Sequence, residues 1–407
     1  MQNNFIPVCE PLLAGNELAY ITDAVSSGWI SSSGSYLQKF ENAFAEYCGV
    51  RFGVGVCNGT VALHLALRAL SIKEGDEVII PDFTMIASAF SVCYTGAKPV
   101  FVDADKDTWN IDVNKIEEKI TSKTKAIMPV HIFGNMCGMD EIKNIARKYN
   151  LFILEDAAEA HGSEYKEKKS GSFSDIAAFS FFANKNITTG EGGMVITDNE
   201  ELYKKAKYFK NLCFPLEGPR NYLHEDIGFN YRMSNLHAAI GLAQTEKAGY
   251  YRDLRIKNNR LYKKYLAGCD GVFFQKDEEN SLNCNWMNAI LVQPEIYGKT
   301  RDNLIIFLKE NNIDTRLVFN GMHRQKALST YGCDCGGNYP VADWLSENGF
   351  YLPSGSGLAE PDIARICELI VNFGKNPLIS KRIVKMKNSA DNQTNSNYKV
   401  NCRGGVI

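Results

Sequence analysis

Lys185 stands between two asparagines in "SFFANKNITTGEGGMV" (180–195), just past an apolar run that reads as a buried strand and just before a turn of Thr and Gly. Lysine is rarely buried without a partner, and at a partly desolvated site its amine suits imine formation with a carbonyl. A solvated loop lysine is the ordinary alternative, so the neighbouring chemistry decides. In "LFILEDAAEAHG" (151–162), apolar residues deliver Glu155 and Asp156 to a strand end, and Glu159 and His161 follow. A lone carboxylate there commonly caps the next helix; two acids with a third a turn later strain that explanation. In "GVGVCNGTVALHLALRAL" (53–70), Asn58, Gly59 and Thr60 separate a short apolar run from a helical one. Free amides and a hydroxyl at the positive end of a helix suit a phosphate. Ser180 offers another hydroxyl from the strand before Lys185. Helix-end donors for a phosphate, Asp156 to keep a pyridine nitrogen protonated and Lys185 to take an aldehyde together describe a site for pyridoxal 5'-phosphate (PLP). Neither a Walker lysine pattern nor G-x-G-x-x-G is present, which weakens ATP and dinucleotide readings.

Three such segments can converge only if strand ends bring them together. Short apolar runs without polar alternation occur in "EVIIPDF" (77–83), "KPVFVDAD" (98–105), "KAIMPVHIFG" (125–134), "LFILEDAAEA" (151–160) and "DIAAFSFF" (175–182). Amphipathic segments such as "VNKIEEKITSK" and "MDEIKNIARKYN", read as helices, lie between them. That alternation predicts an α/β domain with a mainly parallel sheet covered on both faces, whose ligands gather outside the carboxyl ends of the strands. After about residue 245 come the charged helical pattern "YYRDLRIKNNRLYKKYLAG", the strand-like "WMNAILV" and the helical "TRDNLIIFLKENNI". These predict a smaller α+β domain. The expected organisation is a large PLP-binding domain over 1–250, a small C-terminal domain over 251–375 and a polar, Asn-rich tail over 376–407. The lysines of "YKEKKSG" (165–171) read as a solvated hairpin.

A chain of 407 residues, 45% apolar and 23% charged, is longer than one hydrophobic core ordinarily supports. A net charge of −2 lacks the basic excess of nucleic-acid or anionic-membrane binders, so neither is an expected partner. Twelve cysteines are scattered without metal-like spacing. The nearest pair, Cys333 and Cys335, has no second pair or histidine cluster, so reduced thiols and no metal site are expected. "MQNNFIPVCEPLL" has no basic segment followed by a long apolar one, and no apolar run reaches membrane-spanning length; a cytoplasmic location is expected.

With these residues in view, the chain resembles the sugar aminotransferases of the DegT/DnrJ/EryC1/StrS group, and within it the GDP-perosamine synthases. The resemblance runs from "IPVCEPLLAGNE" to "GLAEPDIARICELI". It rests on "SGWISSSGSYLQKFE", "NGTVALHLAL", "PDFTMIASA", "GAKPVFVD", "EDAAEAHGSEY", "FSFFANKNITTGEGGMV" and "GFNYRMSNLHAAIGLAQ", in the family's order. It implies the aspartate aminotransferase-like fold (fold type I) with a seven-stranded large domain, and a homodimer with active sites at the subunit interface. Lys185 would be the catalytic Schiff-base lysine and Asp156 the partner of the pyridine nitrogen, with Gly59, Thr60 and Ser180 at the phosphate. Asn230 would reach the phosphate from the other subunit. Glu159 stands beside the cofactor's 3-oxygen, where many members have Gln, and Met85 where relatives commonly place an aromatic ring. The "SGW" segment, with Trp29 and Ser31, and the "DTRLVFNGMHRQ" segment, with Arg316 and His323, would line the sugar site. Glutamate would give its amino group, leaving 2-oxoglutarate, and a nucleotide-linked 4-keto-6-deoxy sugar would receive it. Leu317, Asn320 and Gly321 depart from the perosamine-synthase pattern, so an aminotransferase for a UDP-linked keto sugar is the alternative. Lys185 argues against the related sugar dehydratases, which carry His there. An intact cofactor set argues against a non-catalytic binding or regulatory relative.

Overall fold

A computed structural model describes residues 5–218 and 222–374; the polar tail expected at 376–407 lies outside them. The strands of the first part are β1 (Phe52–Val56), β2 (Glu77–Pro81), β3 (Lys98–Val102), β4 (Thr124–Ile127), β5 (Phe152–Asp156), β6 (Glu164–Tyr165), β7 (Lys168–Lys169), β8 (Ile176–Ser180) and β9 (Gly193–Thr197). Seven of them form one sheet in the order β1-β9-β8-β5-β4-β2-β3. Side chains alternate between faces along a strand, and here both faces are covered. Val78 and Ile80 of β2 enter one apolar cluster while Ile79 enters another, and on β9 Val195 is opposed by Met194 and Ile196. This is why the strands read as unbroken apolar runs.

Strands β3, β2, β4, β5 and β8 run parallel to one another, whereas β9 is antiparallel to both β8 and β1. The connection from β8 to β9, residues 181–192, runs through the "TTGEGG" turn and brings the chain back antiparallel. The second part adds β10 (Val272–Phe274), β11 (Ser281–Leu282), β12 (Asn288–Val292), β13 (Arg316–Leu317) and β14 (Gly349–Leu352). An antiparallel sheet β10-β12-β14-β13 packs through Ile290, Val292, Phe350 and Leu352 against helices Ala248–Tyr265, Arg301–Glu310 and Glu360–Phe373. Helix Ala248–Tyr265 contributes Ala248 to a core of the large sheet and Tyr262 and Tyr265 to the core of the small one.

One local expectation needs correction. The "VNKIEEKITSK" segment is not an α-helix but two 3-10 turns, Val113–Lys115 and Glu117–Lys119. Its helix-like spacing buries Ile116, and i→i+3 bonds such as Lys119 N to Ile116 O close the turns. The lysine-rich 165–171 segment is a hairpin, with Lys166 and Glu167 both at positive φ (46° and 65°), as a tight two-residue turn demands. Its Lys166 and Lys168 are exposed, as expected of a solvated hairpin, while Tyr165 is buried and β6 pairs with β11 on its other edge.

Candidate active site

The carboxyl ends of β5 and β8 and the start of helix Gly59–Ala69 face one cavity of about 360 Å³, lined by Gly59, Thr60, Met85, Asp156, Glu159, Ser180 and Lys185 among others. Asn58 caps the helix, its side-chain oxygen accepting the Val61 amide at 3.0 Å and its carbonyl the Ala62 amide at 3.2 Å. The amides of Gly59 and Thr60 come before any helical carbonyl that could take them, so they point outward as donors. A Cβ on Gly59 would lie 2.6 Å from Ser180 Cβ and 3.0 Å from its Oγ. Glycine therefore lets the helix start press against the end of β8 and form a cradle of two amides and two hydroxyls. That donor set fits a phosphate.

Neighbouring residues of β5 take opposite roles because a strand turns them to opposite faces. Glu155 is fully buried away from the cavity; its oxygens accept from His131 Nε2 (3.0 Å), Gly171 N (3.0 Å), Phe173 N (3.0 Å) and Ser174 Oγ (2.8 Å). Burial alone would raise this carboxyl, but the His131 bond and the other donors hold it below the ordinary glutamate range. Asp156 faces the cavity and is raised by burial, with the Ser88 and Ala158 hydrogen bonds acting against the rise. Glu159, on the turn that follows, accepts the Phe133 amide at 2.7 Å and is raised by burial against the pull of Lys185. Burial in turn lowers Lys185, opposed by Glu159 and Asp156. The lysine thus sits where its neutral, nucleophilic form is accessible, beside carboxylates that can exchange its proton.

The Lys185 loop is pinned by the small domain. Lys185 Nζ lies 3.5 Å from the centroid of the Trp286 ring, and Trp286 Nε1 donates to Asn184 O at 3.0 Å. Arg255, wholly buried, donates to Asn184 O (3.3 Å), Trp286 O (2.9 Å), Ser356 Oγ (2.9 Å), Ser354 O and Cys9 Sγ (3.4 Å). Behind the lysine, His161 accepts the Ile187 amide at Nδ1 (3.2 Å), and burial lowers it to about 3, so its ring is neutral. Trp286, Phe319 and Tyr351 also line the cavity. Sequence reading missed Trp286 and Tyr351, which lie in the small domain, Trp286 within the strand-like "WMNAILV"; Phe319 belongs to the "DTRLVFNGMHRQ" segment expected at the sugar site.

Other sequence-derived residues lie outside this cavity. Asn230 forms a backbone bridge with Asn211. Trp29, 58% exposed, and Ser31 give their carbonyls to Asn235 at 2.6 and 2.7 Å. Arg316 is exposed and paired with Asp314 at 2.6 Å, although its strand neighbour Tyr351 reaches the cavity. His323 is held at both ring nitrogens, by Asp82 at 2.7 Å and Asp343 at 3.2 Å. No cluster of His, Cys, Asp or Glu able to hold a metal occurs among the described residues, and no described helix is long and apolar enough to cross a membrane.

Phosphate cradle, buried acid and desolvated lysine fit PLP, and comparison with known proteins agrees. The sequence matches the DegT/DnrJ/EryC1/StrS aminotransferase family over residues 11–371. It is 45% identical to the GDP-perosamine synthase of Escherichia coli O157:H7, across 91% of this chain and 98% of that protein. It is 43% identical to the GDP-perosamine synthase of Caulobacter vibrioides, across 89% and 96%. The fold matches that of S. venezuelae DesV, solved in complex with a ketimine intermediate, with a TM-score of 0.82 at 32% identity, across 88% and 94% of the two chains. The seven-stranded sheet with its smaller C-terminal α+β domain is the fold type I architecture. The chain belongs to the DegT/DnrJ/EryC1/StrS aminotransferase family.

Proposed function

We propose that this protein is a PLP-dependent aminotransferase that moves the amino group of glutamate onto the 4-keto group of a nucleotide-linked deoxysugar, with conversion of GDP-4-keto-6-deoxy-D-mannose to GDP-perosamine as its reaction. The observation that carries the reading is the placement of Lys185, half-buried against Trp286 and facing Glu159 and Asp156, in the same cavity as the Gly59–Ser180 cradle. Similarity to two GDP-perosamine synthases over nearly the whole chain supports this choice of substrate.

PLP, when bound, supplies the electron sink that lets a proton leave the carbon bearing the amino group. The remaining work falls to the chain. Lys185 Nζ would hold the aldehyde of the cofactor and, when free, would take up and give back a proton as base and acid. Asp156 keeps the pyridine nitrogen protonated, and the amides of Gly59 and Thr60 with the Ser180 hydroxyl hold the phosphate. Asn230 reaches that phosphate from a second copy of the chain in a homodimer. Glu159 and Met85, which line the cavity, would meet the cofactor's 3-oxygen and its ring, the latter through a polarizable thioether. Trp29, Ser31, Arg316 and His323 line the sugar site. In this reading the enzyme works in the cytoplasm and its product enters a surface polysaccharide such as O-antigen in lipopolysaccharide biosynthesis.

The test is mass spectrometry of the sugars formed when the protein is incubated with PLP, glutamate and, separately, GDP- and UDP-linked 4-keto-6-deoxy sugars. An amino sugar from the GDP substrate alone supports the reading. An amino sugar from a UDP substrate alone assigns the changed "LVFNG" segment, of which Phe319 lines the cavity, to a different specificity.

A further inference from the structure

The Asp156 carboxylate is held at both oxygens. Oδ1 accepts the Ala158 amide at 3.2 Å and Oδ2 accepts the Ser88 hydroxyl at 2.8 Å. Ser88 Oγ in turn lies 3.1 Å from Thr84 Oγ1. A serine hydroxyl has one proton to give and two lone pairs to offer, and an ionised carboxylate only accepts. With Asp156 ionised, the single proton of Ser88 is committed to it, and Thr84 is then the donor to Ser88. The chain Thr84→Ser88→Asp156 runs one way.

All three groups are removed from water: Thr84 and Ser88 are 0% exposed and Asp156 is 4% exposed. Local structure fixes their alignment. Thr84 lies on the loop that leaves β2, and Ser88 lies in the first turn of helix Ile86–Tyr94, its amide donating to Met85 O at 3.1 Å. Thr84 and Asp156 both line the cavity, and Ser88 stands behind them. Burial by itself favours the protonated acid, which could not hold a proton on a pyridine nitrogen; a donor aimed at the carboxylate favours the ion.

We propose that Ser88 is a positioning residue for Asp156: its hydroxyl, polarised by Thr84, fixes Oδ2 and keeps the carboxylate ionised to hold the proton on the pyridine nitrogen of PLP. The inference rests on the PLP reading of this site. It assigns a function to the "TMIAS" stretch (84–88) beyond the place of Met85 over the ring.

The test is equilibrium binding to the full-length apoprotein, wild type, Ser88→Ala and Thr84→Val, of PLP and of its 1-deaza analogue, in which carbon replaces the pyridine nitrogen. Loss of a hydrogen bond to a charged group predicts that Ser88→Ala weakens PLP by roughly tenfold or more. The analogue, which gives Asp156 no proton to hold, is bound equally by wild type and Ser88→Ala. Thr84→Val weakens PLP in the same direction by less. In Ser88→Ala less of the bound cofactor is protonated at its pyridine nitrogen at neutral pH than in wild type, the proton passing to Asp156, read from its visible absorbance. An equal loss for PLP and the analogue, or no loss for PLP, overturns the proposal and leaves the aminotransferase reading standing. A wild-type protein that does not bind PLP overturns both.

Discussion

Replacing Gly59 with Ala separates the cofactor cradle from the stability of the fold. The added Cβ would meet Ser180 Cβ at 2.6 Å, Oγ at 3.0 Å and Cα at 3.2 Å. Carbon atoms rest at about 3.5–4.0 Å, so the helix start must retreat from β8 by roughly 1 Å, and no side-chain rotation relieves a Cβ. Such overpacking costs about 1–3 kcal/mol. Gly59 does not have positive φ, so alanine meets no backbone penalty and its better helix propensity returns up to about 1 kcal/mol. The apoprotein should then melt only a few degrees below wild type. Cofactor affinity behaves differently. Two donors displaced from a charged phosphate, each worth at least about 1.5 kcal/mol, weaken PLP by roughly a hundredfold. Titration of apoprotein with PLP, beside thermal melts without it, measures both quantities. Gly59→Ala binding PLP as tightly as wild type would refute the cradle.

Lys185→Ala should lose the visible absorbance of the covalent cofactor and nearly all turnover; wild-type turnover by this variant rules out the assignment. Trp286 is 4% exposed and stacks on Phe133 with ring centroids 6.3 Å apart, so Trp286→Ala should cost about 3–5 kcal/mol in denaturant unfolding. Trp286→Phe restores most of that but leaves Asn184 O one donor short, a deficit of about 1 kcal/mol. Glu155 is held below the ordinary glutamate range by His131 and backbone donors, so its contribution is present above the unfolded-state pKa and is lost as pH falls through the folded one. Glu155→Gln should destabilise the protein at neutral pH and flatten the acid limb of its stability curve; a limb as steep as that of wild type would count against the pairing.

The cofactor chemistry was legible because its parts sit where a local pattern ends: Asn58-Gly59-Thr60 at a strand-to-helix switch, Asp156 at the last position of β5, and Ser180 and Lys185 at and beyond the end of β8. Apolar runs reveal strands, and the rule that ligands collect at strand ends does the rest. Glu155 looked equal to Asp156 because sequence adjacency does not announce which face is core. Trp286 and Tyr351 carry no local sign of their role; only tertiary packing brings them to Lys185. The 113–123 segment misled because a 3–4 spacing of apolar residues also suits successive 3-10 turns. Ser88 was invisible for the opposite reason, being a small residue in an apolar helix whose importance lies in one hydrogen bond.

The contacts of Arg255 also order events in time. The carbonyl of Asn184, beside the lysine, is held by a guanidinium whose other partners include Ser354 and Ser356. Domains emerging from a ribosome fold from the amino end, so the large sheet can form while the last helices are still being synthesised. The loop bearing Lys185 takes its final set later, because Ser354 and Ser356, which complete the Arg255 contacts, lie far beyond it along the chain. A chain stopped before residue 354 should therefore lack the Ser354 and Ser356 contacts through which Arg255 completes the setting of the lysine loop.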